Sequence, residues 1–157
     1  MFLYNDITRL LILAAKINGN YKAYLYLKKS LFAKLSNSAW CADCDLIIPA
    51  PSSLWSRLYG RFDLAWLLSS ELAKLYNKPH KELPASFYFK WRKNTFLQNR
   101  KFSNLKLRRA QRGANIIIFD DVVTTGATVK GICDYLPPDS NIRIITLAKK
   151  HSFRISV

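Results

Sequence analysis

Residues 116–129 run Ile-Ile-Ile-Phe-Asp-Asp-Val-Val-Thr-Thr-Gly-Ala-Thr-Val, and this order limits the folds open to the chain more than any other stretch. An apolar run without polar alternation, 115–120 in full, is the pattern of a parallel strand covered on both faces. Parallel strands need long crossovers, usually helices. From Gly126 to about Leu136 the pattern is helical, closed by Pro137-Pro138, and 142–148 reads as a further strand. Upstream, 6–17 and 20–35 read as two helices split by the turn Asn18-Gly19-Asn20, with Ile7, Leu10, Leu11 and Ala14 recurring at helical spacing. Residues 45–50 read as a short strand stopped by Pro49-Ala50-Pro51, and 62–76 as a helix with Leu64, Leu67, Leu68, Leu72 and Leu75 on one face. Strands separated by helices indicate an α/β fold with a mainly parallel sheet flanked by helices. The 157 residues contain no repeat and no low-complexity linker, so 1–157 is read as one domain.

Two adjacent carboxylates at the edge of a core repel each other and lose solvation, so a partner should compensate Asp120 and Asp121. In parallel sheets ligands sit at the carboxyl ends of strands, which is where these acids fall. The following Val123, Thr124, Thr125, Gly126, Ala127 and Thr128 lead from the strand into a helix. Small residues let backbone N–H groups converge, Gly126 permits an unusual φ, and a helix N-terminus adds positive potential. This is a phosphate cradle beside two carboxylates that can accept hydrogen bonds from vicinal hydroxyls and influence a divalent cation. A ligand with both a phosphate and a diol, such as a ribose 5-phosphate, satisfies both halves. Neither the Gly-x-x-x-x-Gly-Lys-Ser/Thr loop nor the Gly-x-Gly-x-x-Gly dinucleotide fingerprint occurs.

The chain carries 25 Lys+Arg against 10 Asp+Glu, a net +15 that calls for an anionic partner. The longest apolar stretch, 10–15, is far short of the roughly 20 residues of a spanning helix. With Asp6 before it and no basic n-region, it does not read as a signal peptide either, so the protein is expected in the cytosol, without membrane insertion. Cys41, Cys44 and Cys133 are too few for a disulfide framework. Cys41-x-x-Cys44 has metal-ligand spacing, but structural zinc needs four ligands and neither His80 nor His151 sits in a second pair. These cysteines read as packing residues.

Ile116 to Thr128 resembles the binding motif for 5-phosphoribosyl 1-pyrophosphate (PRPP) of type I phosphoribosyltransferases: four apolar residues, two acids, two apolar residues, then Thr-Thr-Gly-x-Thr. In that family the acids hold the ribose hydroxyls and the loop holds the 5′-phosphate. By position Asp120 and Asp121 take the first role, with Mg²⁺, and Val123 to Thr128 the second. The rest of the chain is similar to the competence-protein ComF branch over nearly its whole length. Phe2-Leu3-Tyr4 stands where that branch starts with a strand, Ala15-Lys16-Ile17 where a helix ends in Leu-Lys-Tyr, and Gly19 at the following turn. Ile47-Ile48-Pro49-Ala50-Pro51 matches its strand and Pro-Val-Pro, while Gly60-Arg61-Phe62-Asp63-Leu64-Ala65 matches Arg-Gly-Phe-Asn-Gln-Ala loosely, with Asp63 and Leu64 replacing Asn and Gln. Arg92-Lys93-Asn94-Thr95-Phe96-Leu97-Gln98 follows the branch's Arg…Thr-x-x-Gln pattern with one residue fewer. The four-cysteine zinc module usual ahead of this region in that branch has no counterpart here.

The resemblance implies a type I phosphoribosyltransferase fold and a PRPP- and Mg²⁺-binding protein that handles incoming single-stranded DNA in natural transformation. It also implies competence proteins, such as a DNA-uptake helicase, as partners. For pyrophosphate the candidates are Ala50, Pro51, Ser52, Ser53 and Arg57, with Arg92, Lys93 or Arg100 closing over it. Transferase chemistry is expected, but no residue identifies the acceptor. A nucleobase salvage enzyme and a non-catalytic PRPP sensor or DNA-binding scaffold stay open as alternatives.

Residues 78–112 hold eleven Lys or Arg against the single acid Glu82, ten of the chain's fifteen net positive charges. Aromatic residues are interleaved with them. Cations neutralise phosphates, and exposed rings stack on unpaired bases at about 1–3 kcal/mol each. Lys90, Trp91, Arg92, Lys101, Lys106, Arg108, Arg109 and Arg112 are therefore the candidate DNA contacts. The competing reading is a loop over pyrophosphate with buried aromatic strand residues.

Overall fold

The computed structural model describes residues 2–3, 6–51, 62–83 and 113–149. In them the chain runs β1 (Phe2–Leu3), α1 (Asp6–Asn18), α2 (Tyr21–Leu35), α3 (Ala39–Ala42), β2 (Leu46–Pro49), α4 (Leu64–Leu75), β3 (Asn115–Val123), α5 (Ala127–Cys133) and β4 (Asn141–Lys149). The strands form one sheet in the order β1-β4-β3-β2, parallel throughout. The fold is α/β, as the apolar run at 115–120 predicts.

Central β3 shows why that run has no polar alternation. Ile116, Ile117, Ile118 and Phe119 are each at most 1 % exposed. Ile117 and Phe119 join Ile12, Leu27, Leu31, Leu68 and Leu72 from α1, α2 and α4 in one core. Ile116 and Ile118 join Val129, Ile132 and Leu136 in a second core beneath α5. Helices cover both faces, so every residue of the run must be apolar.

β2 tolerates Pro49 for a reason visible in its hydrogen bonds. The Ile47 N–H donates to the Pro79 carbonyl at 2.9 Å, and the Lys81 N–H donates to the Ile47 carbonyl at 3.1 Å. The Ala50 N–H points the other way, to the Phe119 carbonyl of β3 at 2.6 Å. Pro49 alternates with Ala50, so its missing N–H falls on the outer side and removes no bond to β3.

Helix boundaries follow local chemistry. Gly19 takes φ +61° at the turn after α1, and the Asn20 side chain caps α2 by accepting from the Ala23 N–H at 3.1 Å. Asp63 caps α4 in the same way, accepting from the Trp66 N–H at 3.0 Å, so the helix expected from residue 62 begins at Leu64. Asp63→Ala should cost about 1 kcal/mol in urea unfolding; an unchanged midpoint would show that the cap contributes nothing. Between α2 and α4, Tyr24 donates to Glu71 Oε1 at 2.9 Å, while Lys28 pairs with the other Glu71 oxygen.

Four expectations need correction. On α1 the buried residues are Thr8, Ile12 and Ala15, while Ile7 and Leu10 are 69 % and 65 % exposed. This helix is apolar around most of its circumference, so spacing alone does not select its inward face. On α4, Leu75 is exposed and Ala65, Ser69 and Ala73 complete the buried face instead. β3 continues to Val123 because Val122 and Val123 still pair with Ala148 and Lys149 of β4. α5 stops at Cys133, and turns carry the chain from there to Pro137.

Candidate functional site

Because β3 extends three residues past Asp120, the acids lie within its last turns of pleat rather than beyond it. Successive side chains on a strand face opposite ways, so the two acids cannot play matched parts. Asp121 follows Ile117 and Phe119 onto the α1 side and is 8 % exposed. There Lys16, from the last turn of α1, donates to its Oδ2, and the Val122 N–H donates to its Oδ1 at 2.9 Å. Thr146 of β4 supports the backbone, its hydroxyl lying 3.3 Å from the Asp121 carbonyl and 2.8 Å from that of Ala148. Beyond Asp121 the alternation slips by one residue: Val122 joins the α1-side core and Val123 the α5-side core.

Asp120 is in a different state. It is half-buried, and among the described residues no Lys or Arg forms an ion pair with it. Burial, reinforced by the Asp121 charge, pushes its carboxyl up to about 7, against the opposing pull of Lys16. A carboxylate held at that cost is one that a cation or hydroxyl donors would relieve.

Thr124 and Thr125, which follow, are exposed, and Gly126 turns the chain at φ +72°, ψ 5°. That left-handed conformation suits glycine, as the motif requires. The Ala127 N–H donates to Thr125 Oγ1 at 3.4 Å, and the N-cap Gly126 has no side chain to offer α5. Its first-turn N–H groups thus lack intrahelical partners and face the loop end of the helix. With seven residues, α5 adds less dipole than the longer helix expected.

The β2–β3 register, Pro49 opposite Phe119, sets buried Ala50 and half-buried Pro51 alongside Asp120. The expected pyrophosphate segment therefore starts next to the acid that lacks a cation. Ser52, Ser53, Arg57, Arg92, Lys93 and Arg100 lie outside the described residues, as do Lys90, Trp91, Lys101, Lys106, Arg108, Arg109 and Arg112.

Among the described residues no three His, Cys, Asp or Glu side chains gather as a metal cage. Mg²⁺ does not require one: it binds through one or two carboxylates plus ligand phosphates, retaining water. Asp120 offers such a carboxylate, whereas both Asp121 oxygens accept from Lys16 and Val122. Cys41 and Cys44 are 0 % and 1 % exposed in the α1-side core, where burial pushes both thiols up. They pack as expected. His80 Nε2 lies 2.8 Å from the Ser69 hydroxyl, which itself donates to the Trp66 carbonyl at 3.0 Å. Ser69 is fully buried, so no substrate reaches its hydroxyl and this pair fastens α4.

A cavity of about 90 Å³ opens at the opposite, amino-terminal edge of the sheet, lined by Trp40, Asp43, Cys44, Asn115, Asn141 and Arg143. It has room for about three waters, and it touches Ile116 and Ile117 at the start of β3 but neither acid nor the 123–128 loop. Among the described residues no helix is long and apolar enough to cross a membrane.

Lys16 is the site residue that sequence reading missed as such. A lysine in the last turn of a helix reads as a complement to the helix dipole, and 105 positions separate it from Asp121. Compared with models of known protein families and with curated proteins, the sequence finds no match.

Proposed function

We propose that the protein binds PRPP with Mg²⁺ on a type I phosphoribosyltransferase fold of the ComF kind, and that it acts on single-stranded DNA taken up in natural transformation. The observation that carries the reading is the sequence of features at the carboxyl end of β3. An acid that is half-buried and, among the described residues, has no Lys or Arg ion pair is followed by two exposed threonines, a left-handed glycine and a helix start. A sugar hydroxyl pair and a terminal phosphate match these in that order.

In the transferase reaction the bond from ribose C1 to pyrophosphate breaks as the acceptor's bond to C1 forms, with positive charge building on the sugar ring. Mg²⁺, when bound, neutralises the departing pyrophosphate. Asp120 holds the ribose hydroxyls, Thr124 to Thr128 fix the 5′-phosphate, and Ala50 and Pro51 start the wall against the pyrophosphate. The further pyrophosphate candidates, from the resemblance alone, are Ser52, Ser53 and Arg57, with Arg92, Lys93 or Arg100. Fixing both ends of the sugar orients C1, and proximity of this kind supplies much of a transfer barrier.

Calorimetry with PRPP and Mg²⁺ tests binding, and pyrophosphate release over a panel of free bases and single-stranded DNA tests turnover. Saturable, Mg²⁺-dependent binding supports the reading; none refutes it. Robust release with one free base and no DNA affinity would identify a salvage enzyme. DNA binding without release from any acceptor would identify a PRPP sensor or a scaffold.

The DNA role rests on the basic, aromatic segment 78–112. Reversing Arg108, Arg109 and Arg112 to Glu should weaken binding to an oligothymidine and flatten its log–log salt dependence by about 2, at roughly 0.7 per phosphate contact on a single strand. An unchanged slope would remove this segment from the DNA surface.

A further inference from the structure

We propose that Asp121 is an anchor rather than a second ligand acid, and that it holds the Lys16 ammonium at the carboxyl end of the sheet to meet the phosphate groups of the ligand. The proposal rests on the ribose-phosphate reading above and reassigns one of its residues.

Three observations carry it. First, both Asp121 oxygens are already used, Oδ2 by Lys16 and Oδ1 by the Val122 N–H. A diol approaching Asp121 would have to reach an acid that is 8 % exposed and whose oxygens each already accept one bond. Second, the burial is unequal within the pair: the Asp121 side chain is 11 % exposed and that of Lys16 29 % exposed. The acid is covered and the cation is reachable. An ammonium has three donors, and one bond to Asp121 leaves others to offer. Third, Asp121 lies two residues before the end of β3 at Val123, and Thr124 follows that strand end directly. The anchored ammonium thus sits at the strand end from which the 124–128 loop departs.

The geometry also explains why two acids stand side by side. One keeps a flexible lysine in place at a buried strand end, and the other is left for the sugar. Long lysine side chains lose much rotamer freedom when they grip a ligand, and a fixed counter-ion makes that loss before the ligand arrives.

The test is a cycle of Lys16→Met, Asp121→Asn and the double variant. Each is followed by thermal unfolding and by calorimetry with three probes: PRPP with Mg²⁺, ribose 5-phosphate, and inorganic pyrophosphate with Mg²⁺. Lys16→Met should lower PRPP affinity at least about tenfold and reduce its salt dependence, which a purely structural lysine would leave alone. It should also lower the melting temperature, because Asp121 is left covered and unpaired. The double variant should regain the melting temperature but not the affinity. Lys16→Arg, which keeps the charge, should recover part of the affinity and provides the comparison if Lys16→Met fails to fold.

Recovery of affinity in the double variant would mean that Lys16 only neutralises Asp121, and the proposal fails. Unchanged affinity and salt slope in Lys16→Met overturn it equally, as does additive behaviour of the two positions in thermal unfolding. Wild-type protein that binds none of the probes refutes the ribose-phosphate reading itself and the ligand role of Lys16 with it. That result differs from the others because it is already seen before any substitution.

Discussion

Asp120→Asn is expected to abolish Mg²⁺-dependent PRPP binding, a loss of at least about a hundredfold in affinity, while making the protein more stable at neutral and alkaline pH. The two effects share a cause. Burial and the neighbouring Asp121 charge raise the Asp120 carboxyl to about 7 in the folded state, whereas in the unfolded chain it titrates near the ordinary carboxylate value of about 4. Between these values the folded protein holds a proton that the unfolded chain has released, so this group makes stability fall as pH rises through that window. Above it the full penalty of a charged, half-buried acid remains. Asparagine has the same shape without the charge, so its stabilising effect should be absent near pH 4, grow toward pH 7 and level off beyond. Thermal unfolding at several pH values measures this. A variant that binds PRPP as wild type does would remove Asp120 from the site, and one whose stability difference from wild type is the same at pH 4 and pH 8 would remove the electrostatic penalty. Sites that give up stability for a charge needed by a ligand commonly behave in this way.

Phe119→Ala should have the largest effect on the fold itself. Phe119 is fully buried in the core shared by α1, α2 and α4, immediately before Asp120. Truncating a buried phenylalanine costs about 3–5 kcal/mol through lost burial and the cavity left behind. Whole domains are stable by only about 5–15 kcal/mol. For a chain of this length each kcal/mol lowers the melting temperature by roughly 2–4 °C, so a fall of roughly 10 °C is expected. Ligand binding should fall only as far as the folded fraction falls, since Phe119 itself faces α1, α2 and α4 rather than ligand. A melting temperature within about 2 °C of wild type would show that the central strand is not packed as described.

The legible and illegible parts of this protein divide along physical lines. The apolar run before Asp120, the turn at Gly19 and the left-handed Gly126 were readable because each follows from local sterics and burial on both faces of a strand. The inward face of α1 was not readable, since Ile7 and Leu10 fit a helical stripe as well as Ile12 and Ala15 do. Only contact with the sheet chooses between them. Pro49 is the last residue of β2, as the sequence suggests, but that it costs the sheet no bond was visible only in space, where the direction of its neighbours' hydrogen bonds decides whether a missing N–H matters.

The same division holds at the site. Backbone periodicity and the chemistry of small residues act over a few positions, and by themselves they determined the order of strand, acids, small-residue loop and helix. Which acid is covered by Lys16, which forms no ion pair with a Lys or Arg among the described residues, and that Lys16 reaches Asp121 from 105 positions away were decided only when the parallel sheet and α1 came together. Charges interact according to distance and burial, and neither quantity is a property of the chain until it has folded.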